Sequence, residues 1–487
     1  MSGPKPPAER PAARARPDLP RRLGQALDSL LPPGATPRWV VAFSGGADSL
    51  ALLAALVEVI GARPAARRPA LRAVHVDHGL NPRSGDWARQ CRRICRALGV
   101  PLSVARARLR VPRGASVEAV AREARYALLR RALRRGEVLL TAHHVDDQLE
   151  TLLLQLMRGA GVAGLASMPP VAAFGRGWLL RPLLGLRRAE LREYVAGRGL
   201  AWVEDDSNVD PRFDRNFLRR EVLPALQSRW PAAAEVAARS AAHLAEARMV
   251  LDELAACDLA RLRRGTALDV ERLQALSAPR RKLAVRAWPA SLGLPVPDSR
   301  HLARVTGELC QARRDAQPRV DWPGVEVRRY RGRLFAAPTS LPARAPAPPG
   351  TGSPGSLRWN WRRRAVLPLG PGLGRLELRR DPRGPLDASR LPSTLQVGWR
   401  AGGERLRTEP GGPRRAVKEL LRSAGVLPWM RGLVPLVQAT DRLVAVADLA
   451  VEADYLAAPG CRSRCRLQWL DAPEHRLIDA DVDADAD

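Results

Sequence analysis

VVAFSGGADSLALL, residues 40–53, is an apolar run broken by Ser44-Gly45-Gly46 and by the pair Asp48-Ser49. Val40, Val41, Ala42 and Phe43 read as a short buried strand. Leu50, Leu52, Leu53, Leu56 and Val57 then recur at helical spacing, which predicts a helix from about Ala47. The two glycines therefore fall on the turn between a strand and a helix N-terminus. Unpaired backbone N–H groups and the helix dipole favour an anion there. A plain tight turn, with Asp48 and Ser49 complementing the helix end, is the alternative. Two phosphate loops are excluded, because the stretch contains neither G-x-x-x-x-G-K-[ST] nor G-x-G-x-x-G.

Working outward, strand and helix patterns alternate from residue 38 to about 200. Strands are expected at Trp39–Phe43, Leu71–Val76, Leu102–Ala107, Val138–Ala142 and near Trp178–Leu180, with helices at Ala47–Ile60, Ser84–Leu98, Ser116–Arg134 and Val145–Met157. This alternation predicts an α/β fold, a doubly wound parallel sheet whose sites lie at strand C-termini. Three of those strands end in polar residues: Ser44-Gly45-Gly46, Asp77-His78-Gly79 and His143-His144. Beyond about 217 the pattern changes to Ala/Leu/Arg-rich helices, Pro231–Leu276 and Arg280–Cys310, then a Pro/Gly/Ser-rich stretch and a small mixed α/β segment.

The expected organisation is a disordered basic arm (1–20), a nucleotide-binding α/β domain (21–220), a helical middle domain (221–336), a linker (337–356), a C-terminal domain (357–468) and an acidic tail (469–487). A chain of 487 residues is too long for one core. Eighty Lys and Arg against 50 Asp and Glu give a net charge of +30, which points to a polyanionic partner, nucleic acid first. Only Lys5, Lys282 and Lys418 are lysines; GC-rich coding explains that preference for arginine but not the charge surplus. Six cysteines without C-x-x-C spacing fit a reducing cytoplasm. No apolar run approaches the roughly 20 residues of a membrane span, so no membrane partner is expected.

TAHHVDDQLETLLLQLMRGAGVAGLASM, residues 141–168, carries the densest chemistry. Leu149, Leu152, Leu153 and Leu156 form one helix face, and Asp146, Asp147 and Glu150 cluster at i,i+3 and i,i+4 spacing beside it. Acids in a first helical turn complement the dipole; that accounts for Asp146 and Asp147 but not for Glu150 or the two histidines.

The SGGADS turn resembles the phosphate loop of the PP-loop ATP-pyrophosphatases. FSGGADS, HVDHGL (75–80), REARYALL (122–129), the 141–168 run, WVEDDSN (202–208), DRNFLRREVLPAL (214–226), RAGGERLR (400–407) and AVKELLRSAGVLPWMR (416–431) together resemble the tRNA(Ile)-lysidine synthetase family. That resemblance implies ATP-dependent ligation of L-lysine to C2 of the wobble cytidine in the CAU anticodon of an isoleucine tRNA, through an adenylated cytidine. It implies that Ser44, Gly45, Gly46, Ala47, Asp48 and Ser49 bind ATP. Asp48 holds Mg²⁺, since a carboxylate beside polyphosphate needs a cation between them. Asp147 and Glu150 take the lysine ammonium and Arg125 its carboxylate. Asp48, His143 and Asp147 are the expected catalytic residues. For His75, His78, Asn208, Arg215 and Asn216 a structural role and substrate contact stay equally open.

Arg405, Arg414, Arg415, Lys418 and Arg431, near the Gly402-Gly403 turn, are the expected tRNA contacts; a solvated basic face is the alternative. The family commonly has lysine at 414 and 415. Cytoplasmic location is implied, and monomer and homodimer both remain open. The competing functions are a tRNA thiolase and a non-catalytic tRNA-binding protein. Against the first, the sequence shows no cysteine near residues 44–49 or 143–150.

Overall fold

The computed structural model describes residues 18–77, 79, 83–107, 109, 112, 117–203, 214–313, 316, 318–339 and 356–473. The expectations for the 1–17 part of the arm, His78, Asn208, most of the linker and residues 474–487 lie outside them. The chain forms two compact units, 1–250 and 251–487.

The first unit opens with α1 (Leu19–Leu30), which the sequence reading placed partly in the arm. Asp18 Oδ1 accepts from the Arg21 N–H at 3.3 Å, and Leu19, Leu23 and Leu27 are buried one turn apart, so the fold starts before residue 21. Then follow β1 (Arg38–Ala42), α2 (Ala47–Ala62), β2 (Ala70–Asp77), α3 (Ser84–Ala97), β3 (Leu102–Arg106), α4 (Val117–Ala132), β4 (Val138–Leu140) and α5 (Val145–Met157). After them come α6 (Val162–Leu165), β5 (Val171–Phe174), β6 (Gly177–Leu180), α7 (Arg188–Ala196), α8 (Asp214–Phe217), a π turn at Leu218–Val222, and α9 (Leu223–Arg229).

The sheet order is β3-β2-β1-β4-β6-β5. All neighbours are parallel except β5 and β6, an edge hairpin absent from the sequence expectation. Its two-residue turn, Gly175-Arg176, is too short for a crossover. β1 lies between β2 and β4, so the chain leaves it in opposite directions on its two sides. This switch point sets the β1–α2 and β4–α5 turns over one crevice. Leu50, Leu53, Leu56, Cys91 and Leu191 pack on one side of the sheet, and Val40, Leu129, Leu139 and Phe174 on the other.

The helix α10 (Ala233–Leu262) leads on through β7 (Arg263–Arg264), β8 (Ala267–Asp269), α11 (Val270–Ala275), α12 (Ala278–Ser291) and α13 (Ser299–Arg304) to β9 (Arg319–Trp322), β10 (Val325–Tyr330) and β11 (Arg333–Pro338). The middle segment is helical where expected, but neither expected helix is continuous: β7 and β8 interrupt 231–276, and 280–310 breaks between α12 and α13. It also holds a five-stranded antiparallel sheet, β7-β8-β11-β10-β9, that the Ala/Leu/Arg composition hid. Its signal is a period of two: Val320, Trp322, Val325 and Val327 are buried, with Arg319, Asp321 and Glu326 between them.

The C-terminal segment comprises β12 (Leu357–Trp359), β13 (Val366–Pro368), β14 (Arg375–Arg380), β15 (Leu386–Asp387), β16 (Leu395–Gly398), β17 (Arg405–Leu406), β18 (Arg415–Ala416), α14 (Val417–Ser423), β19 (Leu436–Ala439), β20 (Arg442–Val446), β21 (Ala450–Val451) and β22 (Arg464–Leu470). They form sheets β12-β16-β19-β20-β21 and β13-β14-β22-β15 and the hairpin β17–β18. Two expected boundaries move. β11 runs to Pro338, inside the expected linker, and Trp469 is buried in β22, inside the expected tail. Phe335 of β11 also belongs to the C-terminal core, 5.7 Å from the Trp429 ring centroid.

Candidate functional site

The β1–α2 turn is built for close approach. Gly45 has φ +89°, and a Cβ there would lie 2.7 Å from Cys91 Sγ and 3.1 Å from Val203 Cγ2. Only glycine fits both the backbone and the space. Val203 N–H donates to Gly45 O at 2.9 Å and pins the turn from the far side. Within it, Gly46 N–H donates to Ser44 Oγ at 3.3 Å, Ser49 Oγ donates to Gly46 O at 3.0 Å, and the two hydroxyls are 3.0 Å apart. Ala47 opens α2, and Asp48 lies in its first turn. Asp48 Oδ1 is buried and has no hydrogen-bond partner among the described residues. An orphaned carboxylate oxygen at a helix N-terminus beside a hydroxyl-lined turn fits a hard cation.

Cys91 corrects the sequence reading, since a thiol does stand against residues 44–49. It is fully buried at 3.6 Å from His75 Nδ1, and burial pushes its thiol up to about 12. A protonated, enclosed thiol is no nucleophile. His75 Nδ1–H donates to Phe43 O at 2.9 Å, and burial holds the imidazole below its ordinary value. It supports the turn from beneath.

α5 supplies the second wall. His144 precedes it, and the His144 N–H donates to Asp147 Oδ2 at 3.1 Å, which caps the helix. The imidazole lies 3.4 Å from Asp146 Oδ2, 3.4 Å from Asp147 Oδ2 and 3.7 Å from Asp48 Oδ2. Burial alone would lower its affinity for a proton, but Asp146, Asp48 and Asp147 outweigh it and raise the group to about 9. The three carboxylates therefore favour the protonated ring. The Asp147 N–H approaches Nδ1 at 3.4 Å and closes the capping box whenever Nδ1 is unprotonated. His143 is its opposite: burial, with Arg181, Arg122 and Arg215 nearby, pushes it down to about 3, and its Nδ1 meets Thr141 Oγ1 at 2.9 Å.

The carboxylates are all held. Asp146 accepts from the Arg188 N–H at 2.8 Å and from Gln227 at 3.3 Å; burial opposes its charge, yet His144 and these donors bring it to about 2. Arg219 Nη2 donates to Asp147 Oδ1 at 2.9 Å, and Arg219 Nε donates to Glu150 Oε1. Arg215 Nε lies 2.9 Å from Glu150 Oε2, and its Nη2 donates to Thr151 Oγ1 at 2.9 Å. Burial raises the Glu150 carboxyl against the pull of Arg219.

Of the residues expected from sequence, Ser44 to Ser49, His143, Asp147 and Glu150 are brought into this crevice. Arg125 lies on α4 with its guanidinium 5.7 Å from the Tyr126 ring centroid, while the cations acting on His143 are Arg181, Arg122 and Arg215. Arg219 and Arg188 were missed. The signal for Arg219 was its four-residue spacing from Arg215, which puts two cations on one helical face.

In the second unit, β17 pairs with β18, bringing Arg405, Arg414, Arg415 and Lys418 to one hairpin and the start of α14. Arg405 donates to Arg414 O at 2.8 Å, and Arg414 lies 3.7 Å from Glu452. Arg431 instead donates to Val426 O at 3.0 Å and is half-buried.

Three family models match in chain order: the PP-loop domain over residues 19–226, the TilS substrate binding domain over 268–335 and the TilS substrate C-terminal domain over 395–469. A tRNA(Ile)-lysidine synthase of Pseudomonas aeruginosa is 44% identical over 443 residues, covering 88% of this chain and 93% of that protein. The chain belongs to the tRNA(Ile)-lysidine synthase family. Relatives of the same name from Coxiella burnetii and Escherichia coli O157:H7 are 38% and 40% identical, each covering 84% of this chain, and 88% and 91% of their own lengths. In this member of the tRNA(Ile)-lysidine synthase family, the PP-loop match contains both walls of the crevice. The substrate-binding match runs from β8 to β11, and the C-terminal match from β16 into β22.

Proposed function

We infer that this chain is an ATP-dependent carbon–nitrogen ligase that joins L-lysine to the wobble cytidine of an isoleucine tRNA with a CAU anticodon. One observation carries the reading. The Ser-Gly-Gly turn and the acidic start of α5 meet across the switch point, with the His144 cation within 3.7 Å of Asp48 on one side and 3.4 Å of Asp146 and Asp147 on the other.

Cytidine O2 attacks the α-phosphorus of ATP, and pyrophosphate leaves into the turn formed by residues 44–49, where backbone N–H groups and the α2 dipole meet its charge. Mg²⁺, held by Asp48, would supply further charge neutralisation at the phosphates. The lysine ε-amine then attacks C2, and AMP departs with the O2 oxygen. The amine must lose protons. Asp147 is an anion and can accept one; His144 is already protonated, and His143, pushed down to about 3, serves better as a hydrogen-bond partner than as a proton store. Asp147 and Glu150 already hold Arg219, so an ammonium group binds them by taking over one of its bonds. The thiolase reading lacks an available thiol at the crevice. No helix among the described residues is long and apolar enough to cross a membrane, and we place the reaction in the cytoplasm.

The test supplies ATP, radiolabelled lysine and the tRNA to the full chain. Label in a single modified cytidine, with one AMP and one pyrophosphate per lysine, is expected. AMP release without lysine incorporation overturns the substrate assignment, and no AMP release overturns the enzyme.

A further inference from the structure

The C-terminal segment holds a cleft of about 420 Å³ that is lined by Trp361, Arg362, Arg379, Arg380, Ser389 and Ser463 among others. Its volume lies in the range, roughly 300–1,000 Å³, that encloses a small-molecule-sized group. We propose that this cleft is a subsite for one unpaired nucleotide of the bound RNA, stacked on the Trp361–Arg362 pair with its flanking phosphates on Arg379 and Arg380. The proposal rests on the tRNA-ligase reading and adds a contact to it.

Three observations fit one nucleotide and not a bare anion. First, the Arg362 guanidinium lies 4.6 Å from the Trp361 ring centroid, while Trp361 Nε1 is tied to Pro392 O at 2.7 Å. The indole is thus held in place with a flat cation across it, a platform on which a base can stack without choice of sequence. Second, among the described residues no carboxylate lines the cleft. Of the two acids adjacent in sequence, Asp387 lies beneath the serines, and Asp381 is engaged by Arg466 at 2.5 Å and by the Arg383 N–H at 2.8 Å. Arg379 and Arg380, exposed at the end of β14, therefore offer positive charge at the rim. Third, the hydroxyls of Ser389 and Ser463 both donate to Asp387 Oδ1 at 2.6 Å. Their protons are committed to a buried carboxylate, so toward any further group they offer lone pairs; Ser463 Oγ already has Cys461 Sγ at 3.3 Å, which leaves Ser389 Oγ as the freer acceptor. Lone pairs accept from the N–H groups of a base and repel phosphate. The rim therefore selects phosphodiester and the floor selects base.

The test is filter binding of the full chain to the tRNA across a salt series. Arg379→Ala/Arg380→Ala is expected to weaken binding about tenfold and to make the salt slope shallower by about two, one for each lost phosphate contact. Arg362→Ala is expected to weaken binding several-fold, with kcat at saturating tRNA and the KM for ATP unchanged. Arg375→Ala, on the same strand but paired with Asp471 and outside the cleft, serves as the control and leaves both unchanged. A short single-stranded RNA should compete with tRNA better than a blunt duplex of equal length, and the cleft variants should lose that preference. Unchanged affinity and slope overturn the proposal, as does equal competition by AMP or inorganic phosphate at matched ionic strength. If the wild-type chain makes no modified nucleoside yet shows these binding differences, the ligase reading fails and the subsite stands.

Discussion

The start of α5 and the β17–β18 hairpin are both dense in charge, and they treat it in opposite ways. Around α5, Glu150 and His144 are almost fully buried, and each charged group there faces an opposite one: His144 among three aspartates, Arg219 between Asp147 and Glu150. On the hairpin, Arg405, Arg414, Arg415 and Lys418 are exposed. A desolvated charge costs several kcal/mol unless it is paired, so the crevice must be a closed network with fixed geometry. Solvated arginines need no partner, contribute little to stability, and remain available to a polyanion. On the proposed reading the crevice serves chemistry and the hairpin affinity.

That contrast can be broken at several points. The largest effect is expected for Asp48→Ala, which should lower tRNA- and lysine-dependent AMP release by about 10³-fold by removing charge control beside the leaving pyrophosphate. Its tRNA affinity in filter binding should stay near wild type; near-normal turnover would remove Asp48 from the mechanism. Next, Glu150→Ala leaves Arg215 and Arg219 facing an emptied site and should destabilise the first unit by about 3 kcal/mol in urea titration. The KM for lysine should rise more than that for ATP. Unchanged stability together with unchanged lysine dependence would mean that the pair is neither structural nor substrate-binding.

On the hairpin the ranking reverses. Arg414→Ala/Arg415→Ala/Lys418→Ala should change stability by no more than about 0.5 kcal/mol. The same triple variant should weaken tRNA binding about tenfold and make the salt slope shallower by about three. A triple variant that unfolds more readily and binds RNA normally would invert the comparison. The smallest effect concerns a buried pair far from the chemistry. Glu137 meets Arg72 at 2.6 Å and the Arg134 N–H at 2.9 Å; burial opposes its charge, but these partners hold it below 4.5. Its contribution is present above about pH 4.5 and is lost as the pH falls through the lowered value. Glu137→Gln should therefore cost about 1–2 kcal/mol at neutral pH and progressively less in acid. A pH-independent difference would contradict that account.

Removing residues beyond Pro338 is not a clean separation of domains. Phe335 and Tyr330 pack on Trp429, so such a fragment exposes part of a shared core. The linker was legible as Pro/Gly composition, but its first residues are strand, because Ala337 and Pro338 pair with Glu326 and Val325. The antiparallel sheet of the middle segment was missed for a related reason. Strands of four to six residues carry a weak periodic signal, and helix-forming composition around them dominates any longer window.

By itself the sequence determined the βα alternation, the glycine turn and the full extent of α5, Val145–Met157. Those features rest on i,i+2 and i,i+4 relations that the chain carries locally. Only the tertiary structure decided who pairs with whom. Arg219 reaches Asp147 and Glu150 from 72 and 69 residues away, and Cys91 fills the space that excludes a side chain at Gly45. Such partners are set by strand order and by which helix ends share a crevice. A buried charge takes the nearest opposite charge in space, and sequence distance has no part in that choice.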